Sequence, residues 1–377
     1  MTLLALAACS PQRAVESWRV LGDMAASGGP SRLQAITPRP SRAAIAYRID
    51  DRDYVGDFYR PGDKPHAALV LVPGAVPEGK DDPRLVAFAH TLARARFTVL
   101  VPEISNLRDL RIRPTDVTHV ADAVRYLIEA RQAGHVTGPI GIAAISYATG
   151  PAILAAMQPQ VREDVRFLVA VGGYYDIEAV VTFFTTGGYR EGPDHPWRHG
   201  TPNAYGKWLF VRANAERIDN PRDRVLLISM AERKLRHLDA VIADLTDKLG
   251  PEGRSVQALL ANTDPQAVPA LMAALPPGIR ADMAALDVQR HDLSRFAARL
   301  ILIHGRDDAI IPYTESLALT AAAPPGQAAM YLVDNLAHVK LGPGGILDGL
   351  RLWRAVYRLL EERDADPVSS RGVAPRQ

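Results

Sequence analysis

The stretch Pro139-Ile140-Gly141-Ile142-Ala143-Ala144-Ile145-Ser146-Tyr147-Ala148-Thr149-Gly150 decides how the rest of the chain reads. Up to Ile145 it is short, apolar and rich in β-branched residues, the composition of a buried strand. From Tyr147 to Met157 it turns Ala-rich and helical, so Ser146 falls where strand passes into helix. Ala144 and Ala148, two positions to either side, keep the space around that serine small, as a strained nucleophile elbow demands. Ala-Ile-Ser-Tyr-Ala replaces the more usual Gly-x-Ser-x-Gly with residues that still meet the size limit. Taken alone, the same letters also describe a serine capping a helix.

Working outward, Ala67–Val72, Phe97–Val101 and Arg166–Val171 are further continuous apolar runs, with helical periodicity over Leu85–Ala95 and Asp116–Arg131. Strands apolar on both faces, alternating with helices, imply a mostly parallel sheet covered on both sides. Right-handed crossovers then align the C-terminal strand ends along one edge, where ligands of open α/β sheets bind. Upstream, Arg42–Asp50 and Tyr54–Arg60 alternate like two antiparallel strands around the turn Asp50-Asp51-Arg52-Asp53.

After Asp176 the alternation lapses until about Arg295. This stretch has two glycine-rich loops, four prolines from Pro193 to Pro221, and helical patterns over Tyr205–Glu216, Arg224–Leu249 and Pro265–Met283, with no strand pattern. It is too long for a loop and predicts a mostly helical cap over the sheet edge. The strand pattern resumes at Arg299–His304 and Ala329–Val333, and Ile346–Leu360 closes the fold as a helix. The expected organisation is a leader and tether over 1–41, core over 42–176, cap over 177–295, core again over 296–363, and a disordered tail over 364–377.

The 377 residues can bury a large core, and a net charge of +2 with interspersed signs offers no block for nucleic acid. A single cysteine excludes a disulfide framework and a cysteine-based zinc site, and no run reaches membrane-spanning length. That cysteine ends Leu6-Ala7-Ala8-Cys9, which resembles a bacterial lipoprotein box. A basic n-region and a longer apolar stretch, which a signal peptide should carry, are missing. The expectation is a lipid anchor through Cys9 at a bacterial cell envelope; the alternative is a cytoplasmic protein with a free thiol. Pro11–Ser41, polar and Pro/Gly-containing with a short helical piece around Ala14–Met24, reads as a tether.

After the strand Leu300-Ile301-Leu302-Ile303 comes His304-Gly305-Arg306-Asp307-Asp308-Ala309-Ile310-Ile311-Pro312, and after the next strand Asp334-Asn335-Leu336-Ala337-His338. Serine, then acid, then histidine, each just past a strand end, is the chain order of the α/β-hydrolase superfamily, which the sequence resembles over about Arg42 to Glu361. The resemblance implies a central sheet of about eight strands and a Ser146–Asp308–His338 triad. His338 would take the serine proton, and Asp308 would hold the imidazole's tautomer. The oxyanion donors would be the main-chain N–H groups of Tyr147 and of Ala75, in Pro73-Gly74-Ala75 where the family often has His-Gly before the donor. No metal or organic cofactor is implied. The expected partner is a small acyl substrate with an apolar portion.

Asp307 adjoins Asp308 but fits the Gly305-to-Pro312 spacing less well, and is expected to face water or cap the next helix. Asp176, after the preceding strand, is the alternative acid. His304 reads as a structural histidine, and His195 with His199 as a pair lacking the carboxylate support of a metal site. Of the aromatics in or near the cap, Tyr174, Phe183 and Phe184 are the candidates for a substrate pocket. The pairs Gly172-Gly173 and Gly187-Gly188 would free Phe183-Phe184 to move as part of a lid. The function read from these residues is hydrolysis of carboxylic esters or related acyl bonds through an acyl-serine. The alternatives are aminopeptidase or dienelactone-type hydrolysis, or a catalytically silent binding lipoprotein on the same fold.

Overall fold

The computed structural model describes residues 10–334, 336–337, 340–341 and 345–365; Cys9, His338 and the tail from 366 lie outside the described residues. In chain order the elements are α1 (Pro11–Ala26), α2 (Arg32–Ile36), β1 (Ser41–Ile49), β2 (Arg52–Arg60), β3 (Ala67–Val72), α3 (Pro83–Arg94), β4 (Phe97–Pro102), α4 (Ser105–Arg108), α5 (Thr115–Gln132), β5 (Ile140–Ile145), α6 (Thr149–Ala156) and β6 (Val165–Val171). An insertion follows: α7 (Ile177–Thr186), β7 (Gly188–Tyr189), β8 (Arg198–His199), α8 (Tyr205–Asn214), α9 (Pro221–Arg236), α10 (Ala243–Thr246), α11 (Pro251–Ala261), α12 (Val268–Ala273) and α13 (Pro277–Leu286). The chain then returns through β9 (Arg299–Gly305), α14 (Thr314–Ala322), β10 (Ala328–Val333), the short pair β11 (Leu336–Ala337) and β12 (Lys340–Leu341), and α15 (Ile346–Arg363).

The main sheet has eight strands in the order β1-β2-β4-β3-β5-β6-β9-β10. β2 runs antiparallel to both its neighbours, and the other pairs are parallel. This is the fold that the resemblance to α/β-hydrolases implies. The register sets Val72 beside Ala144, Ile145 beside Val171, and Val171 beside Ile303, so the central strands end along one edge. Alternate residues feed two cores. Val70, Ile142, Ala144 and Leu302 face α5, α6 and the insertion. Leu69, Ala143, Val169 and Ile301 face α1, α3 and α15.

Residues 11–41 are not a tether. Ser10 caps α1 by accepting the Arg13 N–H at 3.3 Å, Pro11 stands in the first turn, and Ser27 ends the helix in the left-handed region. The helix is bound to α15 by the stacked rings of Trp18 and Trp353, 5.8 Å apart, and by the buried Arg363 guanidinium on Glu16 at 2.9 Å. The insertion also departs from expectation in two places. It contains a two-stranded ribbon, β7 with β8. The pattern over Arg224–Leu249 breaks at His237, whose extended backbone ends α9 before the short α10.

Candidate active site

Ser146 follows the last residue of β5 and takes φ +58°, the left-handed region that a residue with a Cβ enters at a cost of roughly 1–2 kcal/mol. The neighbourhood tolerates this because Ala144 and Ala148 are fully buried and add only a methyl each. The Thr149 hydroxyl donates to the Ser146 carbonyl at 2.8 Å, which fixes the turn from below. Behind it packing is tight: a Cβ on Gly150 would lie 2.0 Å from the Tyr174 hydroxyl, and one on Gly173 would lie 2.7 Å from Thr149 Oγ1. Gly173 is thus needed for close approach, and Gly187, at φ +78°, for ending α7. Gly173 therefore has a packing role and Gly187 a capping role.

The loop after β3 comes alongside. A Cβ on Gly74 would be 3.8 Å from the Ile145 carbonyl, and Gly74 and Ala75 line the same cavity as Ser146 and Tyr147. That cavity has a volume of about 800 Å³. The insertion contributes Asn203, Tyr205 and Leu209 to its wall, and the loop after β9 contributes Ala309 and Ile310. No pattern in the sequence marks these insertion residues. One tertiary bond that ties this segment to the β9 loop is Asn203 N–H to the Ala309 carbonyl at 2.7 Å.

Asp308 is buried within that second loop. Its Oδ1 accepts the N–H groups of Ile310 at 2.8 Å and Ile311 at 3.0 Å, which orients the carboxylate. Burial, and then the nearby Asp308 charge, push the Tyr147 hydroxyl up in pKa. Asp307 is exposed and its Oδ1 accepts from Leu336 N–H at 3.2 Å, so it faces water and braces β11 instead of capping a helix. Leu336 presses so close that a Cβ on Gly305 would sit 2.1 Å from its carbonyl, the reason a glycine follows His304. His304 is fully buried, with Nδ1 2.7 Å from Ser316 Oγ and Nε2 2.9 Å from the Ile311 carbonyl. With Nε2 donating and Nδ1 accepting, it is a bracing residue of the acid loop.

Asp176 caps α7, accepting the Glu178 N–H at 2.8 Å, while its own N–H and that of Tyr175 donate to Glu315 Oε2 at 2.7 and 3.0 Å. Glu315 is nearly inaccessible, and burial raises its pKa from 4.5 to about 8. Asp176 and Asp287 beside it are also raised, mainly by burial. Tyr174 donates its hydroxyl to the Leu286 carbonyl at 3.1 Å and, with Tyr147 and Phe184, lines a second apolar pocket of about 90 Å³. Phe184 packs on Phe210 at 5.4 Å, whereas Phe183 lies inside the insertion edge-on to Tyr189 at 5.9 Å. His195 and His199 are exposed.

No family model matches the chain, and no curated protein matches it. Solved structures similar to it include a dienelactone hydrolase from Anabaena variabilis, at 13% identity over 85% of this chain and 98% of that one, with a TM-score of 0.44. A hyperthermophilic esterase from Pyrobaculum calidifontis is 13% identical over 94% of this chain and 91% of that one, with a TM-score of 0.45. A puromycin-hydrolyzing peptidase from Mycobacterium tuberculosis is 14% identical over 85% of this chain, with a TM-score of 0.46, and this chain spans only 38% of its length.

Proposed function

We propose that the protein is a serine hydrolase that cleaves carboxylic esters or related acyl bonds through an acyl-serine intermediate. The observation that carries this reading is Ser146: a non-glycine residue at φ +58°, at the end of a central strand, on the wall of a large cavity. Strain of this kind persists where the surroundings over-determine it, and it concentrates at sites of function. A serine capping a helix N-terminus takes an extended backbone, as Ser10 and Ser31 do, and has no need of it.

In the proposed reaction Ser146 Oγ bonds to the acyl carbon as its proton passes to the imidazole of His338. The carbonyl electron pair moves onto oxygen, where the N–H groups of Tyr147 and Ala75 stabilise it. On collapse the bond to the leaving group breaks and the imidazolium returns its proton to that group. Water then adds to the acyl-serine by the same route, releasing the acid and restoring Ser146. Asp308 stabilises the cationic imidazole. The test is labelling of purified protein by a fluorophosphonate, with an ester panel alongside. Ser146→Ala is expected to abolish labelling and lower turnover by about 10³-fold or more while the fold persists. An adduct on any other serine would overturn the assignment.

A further inference from the structure

The cavity at Ser146 does not stop at the strand ends. It continues down the face of the sheet that α1, α3 and α15 cover, as a lobe lined by Ile145, Val171, Ile303, Met24, Phe88 and Val356. A sheet face beneath helices is ordinarily sealed. Here Ala143, Val169 and Ile301 are at most 4% exposed, while Ile145, Val171 and Ile303, two residues further along the same strands, stay partly exposed beneath the same helices. The opening therefore begins at the residue that precedes Ser146 and is lined mostly by apolar side chains from there inward, with Asp23 and Thr91, hydrogen-bonded to each other, also on the cavity wall.

We infer that this lobe holds the acyl chain of the substrate, making the enzyme selective for esters of medium-length aliphatic acids. The inference rests on the serine-hydrolase reading and adds the substrate class. Two features favour the acyl chain over the alcohol. The acyl group stays bonded to Ser146 through half the cycle, so an apolar lobe starting beside Ile145 retains it without hindering release. The alcohol must leave after the first step, and the side of the cavity lined by Asn203 and Tyr205 remains for its exit. The depth sets the chain length. Val169, which lines the lobe, pairs with Ala143, three residues before Ser146. At about 3.3 Å per residue the lobe reaches roughly 10 Å. An extended chain advancing about 1.2 Å per bond fills that with about eight carbons.

The experiment measures kcat/KM for p-nitrophenyl esters from acetyl to dodecanoyl, with fluorophosphonate labelling of Ser146 in parallel. The expected result is a rise of about fourfold per methylene up to roughly eight carbons, then a plateau. Val171→Trp, and separately Met24→Trp on the opposite wall, should lower the octanoyl-to-acetyl ratio at least tenfold. Methyl octanoate should be preferred over its isomer octyl acetate. A flat chain-length profile in a protein that labels at Ser146 overturns the lobe and leaves the serine-hydrolase reading standing. An unchanged ratio in folded variants, or a preference for octyl acetate, likewise overturns the lobe alone. Absence of both labelling and hydrolysis in the wild type overturns the underlying reading, and the lobe with it.

Discussion

Replacing Glu315 by glutamine should change how stability depends on pH. The carboxyl is 2% exposed at the start of α14, near Asp176 and Asp287, with Arg290 on Asp287 at 3.2 Å as the nearby cation. Burial holds its pKa at about 8 in the folded protein against 4.5 ordinarily. The folded state therefore keeps a proton that the unfolded chain releases, and stability falls as pH rises from 4.5 through 8. Below that window the group is neutral in both states and costs nothing. Above it, the full penalty is on the order of 5 kcal/mol at most, less whatever local relaxation recovers. Glutamine copies the protonated acid: its carbonyl can accept the Tyr175 and Asp176 N–H groups as Oε2 does, and it cannot ionise. Urea denaturation at about pH 5, 7 and 9 provides the assay. Glu315→Gln should exceed the wild type by about 1 kcal/mol or less at the lowest of these and by a few kcal/mol at the highest. A stability difference that stays constant across the three pH values would refute the assigned titration.

Ser146→Gly should raise unfolding free energy by about 1 kcal/mol while abolishing activity, because glycine relieves the left-handed strain; equal or lower stability in denaturation would show that the turn is not strained. Asp308→Asn should cost far more kcat than Asp307→Asn or Asp176→Asn, since Asp307 faces water and Asp176 is occupied in capping α7. If Asp176→Asn proves the damaging change, the acid belongs on the earlier strand. Gly150→Ala should destabilise by about 1–3 kcal/mol in thermal melts, because its Cβ would meet the Tyr174 hydroxyl at 2.0 Å and displace its bond to Leu286; an unshifted melting temperature would mean that Tyr174 is free to move.

The central sheet was legible because its signal is local and repeated. Each central parallel strand is an apolar run, the helices between them carry a helical period, and the small residues around Ser146 leave room there for a left-handed serine. The helical piece around Ala14–Met24 was legible as part of α1, but its docking was not, because the face it buries is partly polar: Ser17 and Asp23 are buried beside Val20. Asp23 is tolerated there only through partners far along the chain, the hydroxyls of Ser31 and Thr91 and the Gln34 amide. Hydrophobic periodicity cannot see a carboxylate satisfied by residues up to 68 positions away. The break after α9 escaped for the opposite reason. Apolar spacing continues through Leu238, Val241 and Leu245, yet Leu238 and Val241 are exposed, so the pattern there had no core to face.

Glu315 shows why the remaining part of the site is a tertiary property. Its carboxyl joins the last residues before the insertion to α14, which follows the Asp308 loop, by accepting two main-chain N–H groups ahead of α7. A leucine of similar size would bury more comfortably but would strip both donors of their partner, at about 1–3 kcal/mol for each one left unsatisfied. The Asn203 bond to Ala309 ties the insertion to the same loop at a second point. These hydrogen bonds join residues far apart in the chain, so hydrophobic periodicity does not mark them. An acid that is costly to ionise is retained because the backbone beside it would be costlier to leave unpaired.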